Sequence, residues 1–184
     1  DYAPKVRTLF YSVDAETTDA DDFSKLREKY GKVEYGHGKR KVSEVYSQAE
    51  GSKAERVLAE KRHVREFAVT PDAKRIAMIS AFDDSVLKSE GESRVDVWEA
   101  GKVVTPPTDV YRAKAASPYA WLEDLAWAPD GSRFAFCAIF DAHPTEVIGI
   151  HAPAEGARPW EARAYGRPNG FHLRGYGSPL KWSG

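Results

Sequence analysis

Apolar side chains alternate with smaller ones along LAWAPDGSRFAFCA, Leu125 to Ala138, with Leu125 and Trp127 before a Pro-Asp-Gly turn and Phe134 and Phe136 after it. Period-two alternation on both sides of a short turn predicts an antiparallel β-hairpin. Pro129 presets φ at the second turn position and Gly131 suits the fourth, as type I turn chemistry prefers. A looser copy, FAVTPDAKRIAMIS, runs from Phe67 to Ser80 and keeps Pro71 and Asp72 but has Ala73 where the glycine stood. There the left-handed conformation is either avoided or costs about 1 kcal/mol. The two prolines are 58 positions apart (129 − 71), and LKWSG at the end of the chain starts the pattern again 55 positions after Leu125 (180 − 125). VRTLFYSVDA, Val6 to Ala15, matches only the second half of the motif.

Each of these hairpin segments is followed by a further strand, turn and strand: VSEVYSQAEGSKAERVL from Val42, RVDVWEAGKVVTP from Arg94 and EVIGIHAPAEGARPWEA from Glu146, with EG, AG and EG in the turns. The repeated unit is therefore a four-stranded antiparallel sheet, at a period used by propeller blades with long loops. Its second strand is apolar on both faces, Phe134 and Phe136 one way and Ala135 and Cys137 the other, as a sheet needs when it lies between two neighbours. The expected fold class is all-β, an incomplete β-propeller of four-stranded antiparallel blades. Blade 1 covers about residues 1–60, blade 2 about 64–108, blade 3 about 122–165, and about 178–184 begin a fourth. Since propellers use roughly four to eight blades, three would not close a ring, and the expected partner is the remainder of the propeller or another chain that completes it.

The first unit carries a highly charged insertion at 16–41. Phe23, Leu26 and Tyr30 at helical spacing, preceding aspartates and Gly31 as a stop predict a short amphipathic helix, followed by the basic loop GHGKRK. Such an insertion either forms a lid or partner contact, or packs one helical face on its own blade; the second is expected.

The two hairpins and LKWSG resemble the WxPDGxxIAF repeats of TolB-like propellers and of the propeller that caps the prolyl oligopeptidase family of serine peptidases. The resemblance covers most of the chain. It implies a non-catalytic binding or gating scaffold, the N-terminal part of a larger peptidase whose chemistry belongs to an α/β-hydrolase domain elsewhere. A TolB-like protein-interaction propeller with no enzyme attached is the alternative, and that likeness implies a periplasmic or otherwise extracytoplasmic setting. The repeat defines fold better than function. VDVWE, Val95 to Glu99, is a weaker match to WD-repeat strands, with Glu for Asp and no preceding Gly-His pair.

Composition narrows the partners. A chain of 184 residues suits one domain with a proper core. With 27 basic and 28 acidic side chains it has no electrostatic footprint for nucleic acid. No apolar run approaches the roughly 18 residues of a membrane span. The opening DYAPKVRT has neither an initiator Met nor a signal-peptide core, so a soluble, trimmed chain is expected. Cys137, the single cysteine, excludes an intrachain disulfide and reads as a small buried hydrophobe within FAFCAIF.

Catalytic signatures are missing from the pattern. No G-x-S-x-G occurs, and Ser178 is followed by Pro179 on the way into a strand, unlike a nucleophile elbow. His37, His63, His143, His151 and His172 form no i,i+4 pair, so neither a zinc site nor a cofactor is expected. The acidic strand ends Asp14, Asp83 with Asp84, and Asp141 recur at equivalent places and would line one rim, with His143 beside Asp141. Such a rim would receive a cationic peptide terminus or a divalent ion, or its aspartates would simply cap turns. Asp141 and His143 read as a hydrogen-bonded loop pair before a metal or acid–base site. The aromatic residues Tyr119, Trp121, Trp160, Tyr165 and Tyr176 suit a peptide or glycan contact if exposed, but are expected to fill space between blades.

Overall fold

The computed structural model describes residues 1–15, 28–31, 42–81, 93–106, 121–140, 143–151, 160–165 and 182. Among them are three four-stranded antiparallel sheets, each a meander of consecutive strands. Sheet 1 contains β1 (Tyr2–Ala3), β2 (Thr8–Asp14), β3 (Ser43–Ala49) and β4 (Glu55–Arg56). Sheet 2 contains β5 (Val64–Val69), β6 (Arg75–Ala81), β7 (Ser93–Glu99) and β8 (Lys102–Val104). Sheet 3 contains β9 (Trp121–Trp127), β10 (Arg133–Phe140), β11 (His143–His151) and β12 (Glu161–Tyr165). The all-β class and the four-stranded antiparallel unit are as the alternation predicts. Residues 28–30 are helical and Gly31 follows with φ 74°; the rest of the 16–41 insertion, and with it Phe23 and Leu26, lies outside the described residues.

The turns resolve what the sequence left open. Gly131 has φ 72° and its counterpart Ala73 has φ 60°, so the left-handed conformation is adopted there despite the Cβ. Both close the same turn, Gly131 N–H donating to Ala128 O at 2.9 Å and Ala73 N–H to Thr70 O at 2.8 Å. The first hairpin proves more complete than its sequence suggests. Val6 N–H donates to Ala3 O at 3.3 Å, which makes Pro4 the counterpart of Pro71 and Pro129. Asp1 exchanges two backbone bonds with Phe10, each 2.8 Å, and so occupies the place that Ala68 takes opposite Ala77. Between β7 and β8, Ala100 and Gly101 have φ 50° and 79°, the paired left-handed residues of a tight type I′ hairpin.

Sheet 2 lies between the other two, which explains why β6 is apolar on both faces. Val69, Ile76 and Met78 pack with Ala3, Phe10, Val45 and Leu58 of the sheet 1 region. From the opposite face Ala68, Ala77, Ile79, Val95 and Val97 pack with Leu122, Leu125, Trp127, Phe134, Phe136 and Ile150 of sheet 3. A fully buried Ile, Met or Phe contributes about 1.5–3 kcal/mol, so these two layers hold the three sheets together. Sheet 2 thus has an upstream face, turned to sheet 1, and a downstream face, turned to sheet 3, and the corresponding register positions of sheets 1 and 3 take the same names. Cys137 is buried on the downstream side of sheet 3, as its apolar setting implies. Among the described residues no helix is long and apolar enough to cross a membrane.

Candidate functional site

Of the acidic strand ends expected to line a rim, only Asp14 is among the described residues. Asp14 ends β2, exposed and paired in register with Ser43. Asp83, Asp84 and Asp141 lie outside the described residues, and His143 opens β11 opposite Phe140. Ser178, Tyr119 and Tyr176 also fall outside them. Trp160 packs against the sheet 2–sheet 3 core, with its ring 6.4 Å from that of Trp127 and 6.1 Å from that of Phe134. That is the space-filling role expected of it. Among the described residues no three His, Cys, Asp or Glu side chains converge on a point that would hold a metal.

The structure concentrates its polar chemistry where one sheet meets the next. Trp127 at the end of β9 sends its indole N–H to Ala68 O of β5 at 2.9 Å. Trp182 sends its own to Ala126 O of β9 at 3.2 Å. Ala68 and Ala126 hold the same place in the repeat, and so do Trp127 and Trp182, so one bond is made twice. Arginines follow the same rule. Arg75 bonds Glu99 at 2.6 Å, reaches Gly131 O in the next turn at 3.3 Å and lies 5.8 Å from the Trp160 ring centre. Its counterpart Arg133 lies over Trp182 at 4.9 Å. Aromatic faces attract guanidinium groups, so Arg75 ties its turn to sheet 3 and Arg133 ties its own to Trp182.

Glu66 makes the most specific of these contacts. Its two carboxylate oxygens accept the backbone N–H groups of Leu125 at 2.5 Å and Asp124 at 3.0 Å. Those N–H groups are presented by a β-bulge in β9, where the register with β10 shifts and Asp124 takes φ 60°. A bulge on an edge strand leaves donors unpaired, and a carboxylate from the neighbouring sheet satisfies them. Burial pushes the Glu66 carboxyl above its ordinary range, while the two backbone bonds and the nearby Asp124 and Glu123 charges act in opposite directions on it. Asp1 acts in a similar way where sheet 1 meets sheet 2, its Oδ2 accepting Val69 N–H at 2.7 Å.

A second cluster, missed from sequence, fixes the approach of sheet 2. Asp96 in β7 is buried, and its carboxylate accepts from Arg62 at 2.7 Å, Arg94 at 2.9 Å and the Thr105 hydroxyl at 2.6 Å. Arg62 precedes β5 and bridges back to Ser43 of β3. The buried charge is therefore compensated from the connection between sheets 1 and 2, and it has the character of a structural lock.

No family model matches the chain, and no curated protein matches it.

Proposed function

We propose that this chain is a non-catalytic β-propeller scaffold, a binding or gating segment at the N-terminal end of a larger prolyl-oligopeptidase-like serine peptidase. The observation that supports the reading is that the indole bond joining sheet 3 to sheet 2, Trp127 to Ala68, is made again by Trp182 to Ala126, one repeat further along the sequence. Radial stacking of four-stranded sheets produces such recurrence, because every interface is a rotated copy of the last. In this role the chain supplies shape and access, and the nucleophile belongs to a separate domain.

A fluorophosphonate probe, which labels activated serines, tests this with a fluorogenic peptide cleaved after proline. The 184-residue chain is expected to give neither labelling nor turnover, and the natural full-length polypeptide to give both. Labelling of the 184-residue chain that is lost on Ser178→Ala would overturn the assignment. Inert full-length protein would leave the TolB-like interaction scaffold in its place.

A further inference from the structure

Sheet 3 departs from sheet 2 at one charged position of the repeat. On β6 Arg75 stands opposite Glu99 of β7, and their side chains bond at 2.6 Å. Arg133 holds the same place on β10, directly before Phe134 as Arg75 is directly before Ile76. Its register partner on β11 is His151, so an imidazole stands where sheet 2 has a carboxylate. Residues directly opposite on one face bring their Cβ atoms to about 5 Å. Arg163 on β12 pairs with Gly149, two residues before His151, and adds a second guanidinium to that face.

The change leaves Arg133 with unused donors. Its guanidinium lies 4.9 Å from the Trp182 ring centre, and among the described residues it has no hydrogen-bond or ion-pair partner. A ring contact uses the flat face of the group and leaves its N–H fork to a planar oxyanion. Arg75 does both at once, with Trp160 at 5.8 Å and its N–H groups on Glu99 and Gly131 O. The carboxylates beside Arg133 and His151 are engaged. Asp130 Oδ1 accepts from the Ser132 N–H at 2.9 Å and hydroxyl at 2.8 Å, and Glu161 accepts from Arg163 through both oxygens at 3.0 Å. Burial, then the charges of Arg163 and Arg133, hold His151 below its ordinary range against the pull of Glu161. The imidazole therefore sits in cationic surroundings.

This position stays open even where sheets pack. Sheet 3 covers the downstream face of sheet 2, yet the Arg75 and Glu99 side chains are still 26% and 38% exposed. A sheet packed on sheet 3 in the same way would leave Arg133 within reach of a ligand.

Going beyond the scaffold reading, we propose that Arg133, with His151 beside it, binds a ligand carboxylate, which takes the place that Glu99 takes on Arg75. The two carboxylate oxygens lie on the guanidinium fork, and the protonated imidazole is the second donor. The ligand is a carboxylic acid of peptide type, bearing its charge next to an amide, or a bare small acid.

Nuclear magnetic resonance of the 184-residue chain tests this, with N-acetylglycine as the peptide-type acid, acetate as the bare acid and sodium chloride at matched ionic strength as reference. N-acetylglycine is expected to shift the Arg133 Nε–H signal saturably and to move the His151 titration midpoint up by about 0.5 pH, since a nearby anion favours the imidazolium. By linkage the acid binds about 3-fold more tightly when His151 is protonated. Uncharged N-acetylglycinamide produces neither change. Weaker saturation by acetate assigns the peptide type, and equal saturation the bare acid. Arg133→Gln abolishes both responses. His151→Glu, which builds the sheet 2 pair into sheet 3, moves the Arg133 signal without ligand and removes the saturable response. A response matched by chloride, one retained in Arg133→Gln, or a stronger saturable response to inorganic phosphate would overturn the carboxylate site.

Discussion

Replacing Trp127 with phenylalanine isolates the contact on which the stacking depends. The indole N–H donates to Ala68 O at 2.9 Å in a buried setting, and the ring meets Phe134 at 4.9 Å and Trp160 at 6.4 Å. Removing the donor leaves a desolvated carbonyl short of a partner, at a cost of about 1–3 kcal/mol. The smaller ring also leaves a void, at about 24 cal/mol per Å³ of cavity that does not collapse. Together these give a loss of about 2–4 kcal/mol, against the roughly 5–15 kcal/mol that stabilises a typical domain. Urea unfolding followed by circular dichroism measures it as a lower midpoint with an unchanged slope. Trp182→Phe, at a half-buried position, loses less, about 1 kcal/mol. A Trp127→Phe variant within about 0.5 kcal/mol of the parent would refute the claim that this bond couples sheets 2 and 3.

Three further outcomes follow from single residues. Ala73→Gly raises the melting midpoint by relieving a left-handed alanine, worth about 0.5–1 kcal/mol, while Gly131→Ala lowers it by a similar amount; calorimetry showing both changes neutral would contradict the strain. Asp96→Ala strips the counter-charge from Arg62 and Arg94 and costs about 3–5 kcal/mol in urea unfolding, so a loss under about 1 kcal/mol would show that the cluster is no lock. Glu66 titrates above its ordinary 4.5, burial being the main cause, so the folded chain holds the proton more tightly than the unfolded one. Its contribution to stability therefore falls as pH rises through the window from 4.5 to the raised folded value, and Glu66→Gln flattens that stretch of the stability–pH curve; an unchanged slope would contradict the assignment.

The hairpins were legible because two covered strands and a Pro-Asp turn leave a local, period-two signature. Half of the first hairpin was not. β1 is only two residues long and its turn reads Pro4-Lys5-Val6, without the Asp-Gly chemistry that flags Pro129, so register alone reveals it. Asp96 was missed for a different reason. In VDVWE the alternation assigns it to a solvated face, yet both faces of sheet 2 are covered, and the polar position becomes a buried charge in need of partners. Those partners, like the backbone donors of Glu66, come from elsewhere in the chain, Arg62 at a sequence distance of 34 and Leu125 at 59. No window-based pattern reaches that far. The acidic rim was inferred from repeated strand ends; of its carboxylates only Asp14 falls within the described residues.

If like sheets succeed one another by a single repeated rotation around an axis, electron cryomicroscopy of the natural full-length polypeptide will show it. The expected result is a closed ring in which the operation carrying sheet 1 onto sheet 2 also carries sheet 2 onto sheet 3, with Trp127 and Trp182 on equivalent carbonyls. Sheets related by unequal rotations, or a stack that forms no ring, would contradict the propeller.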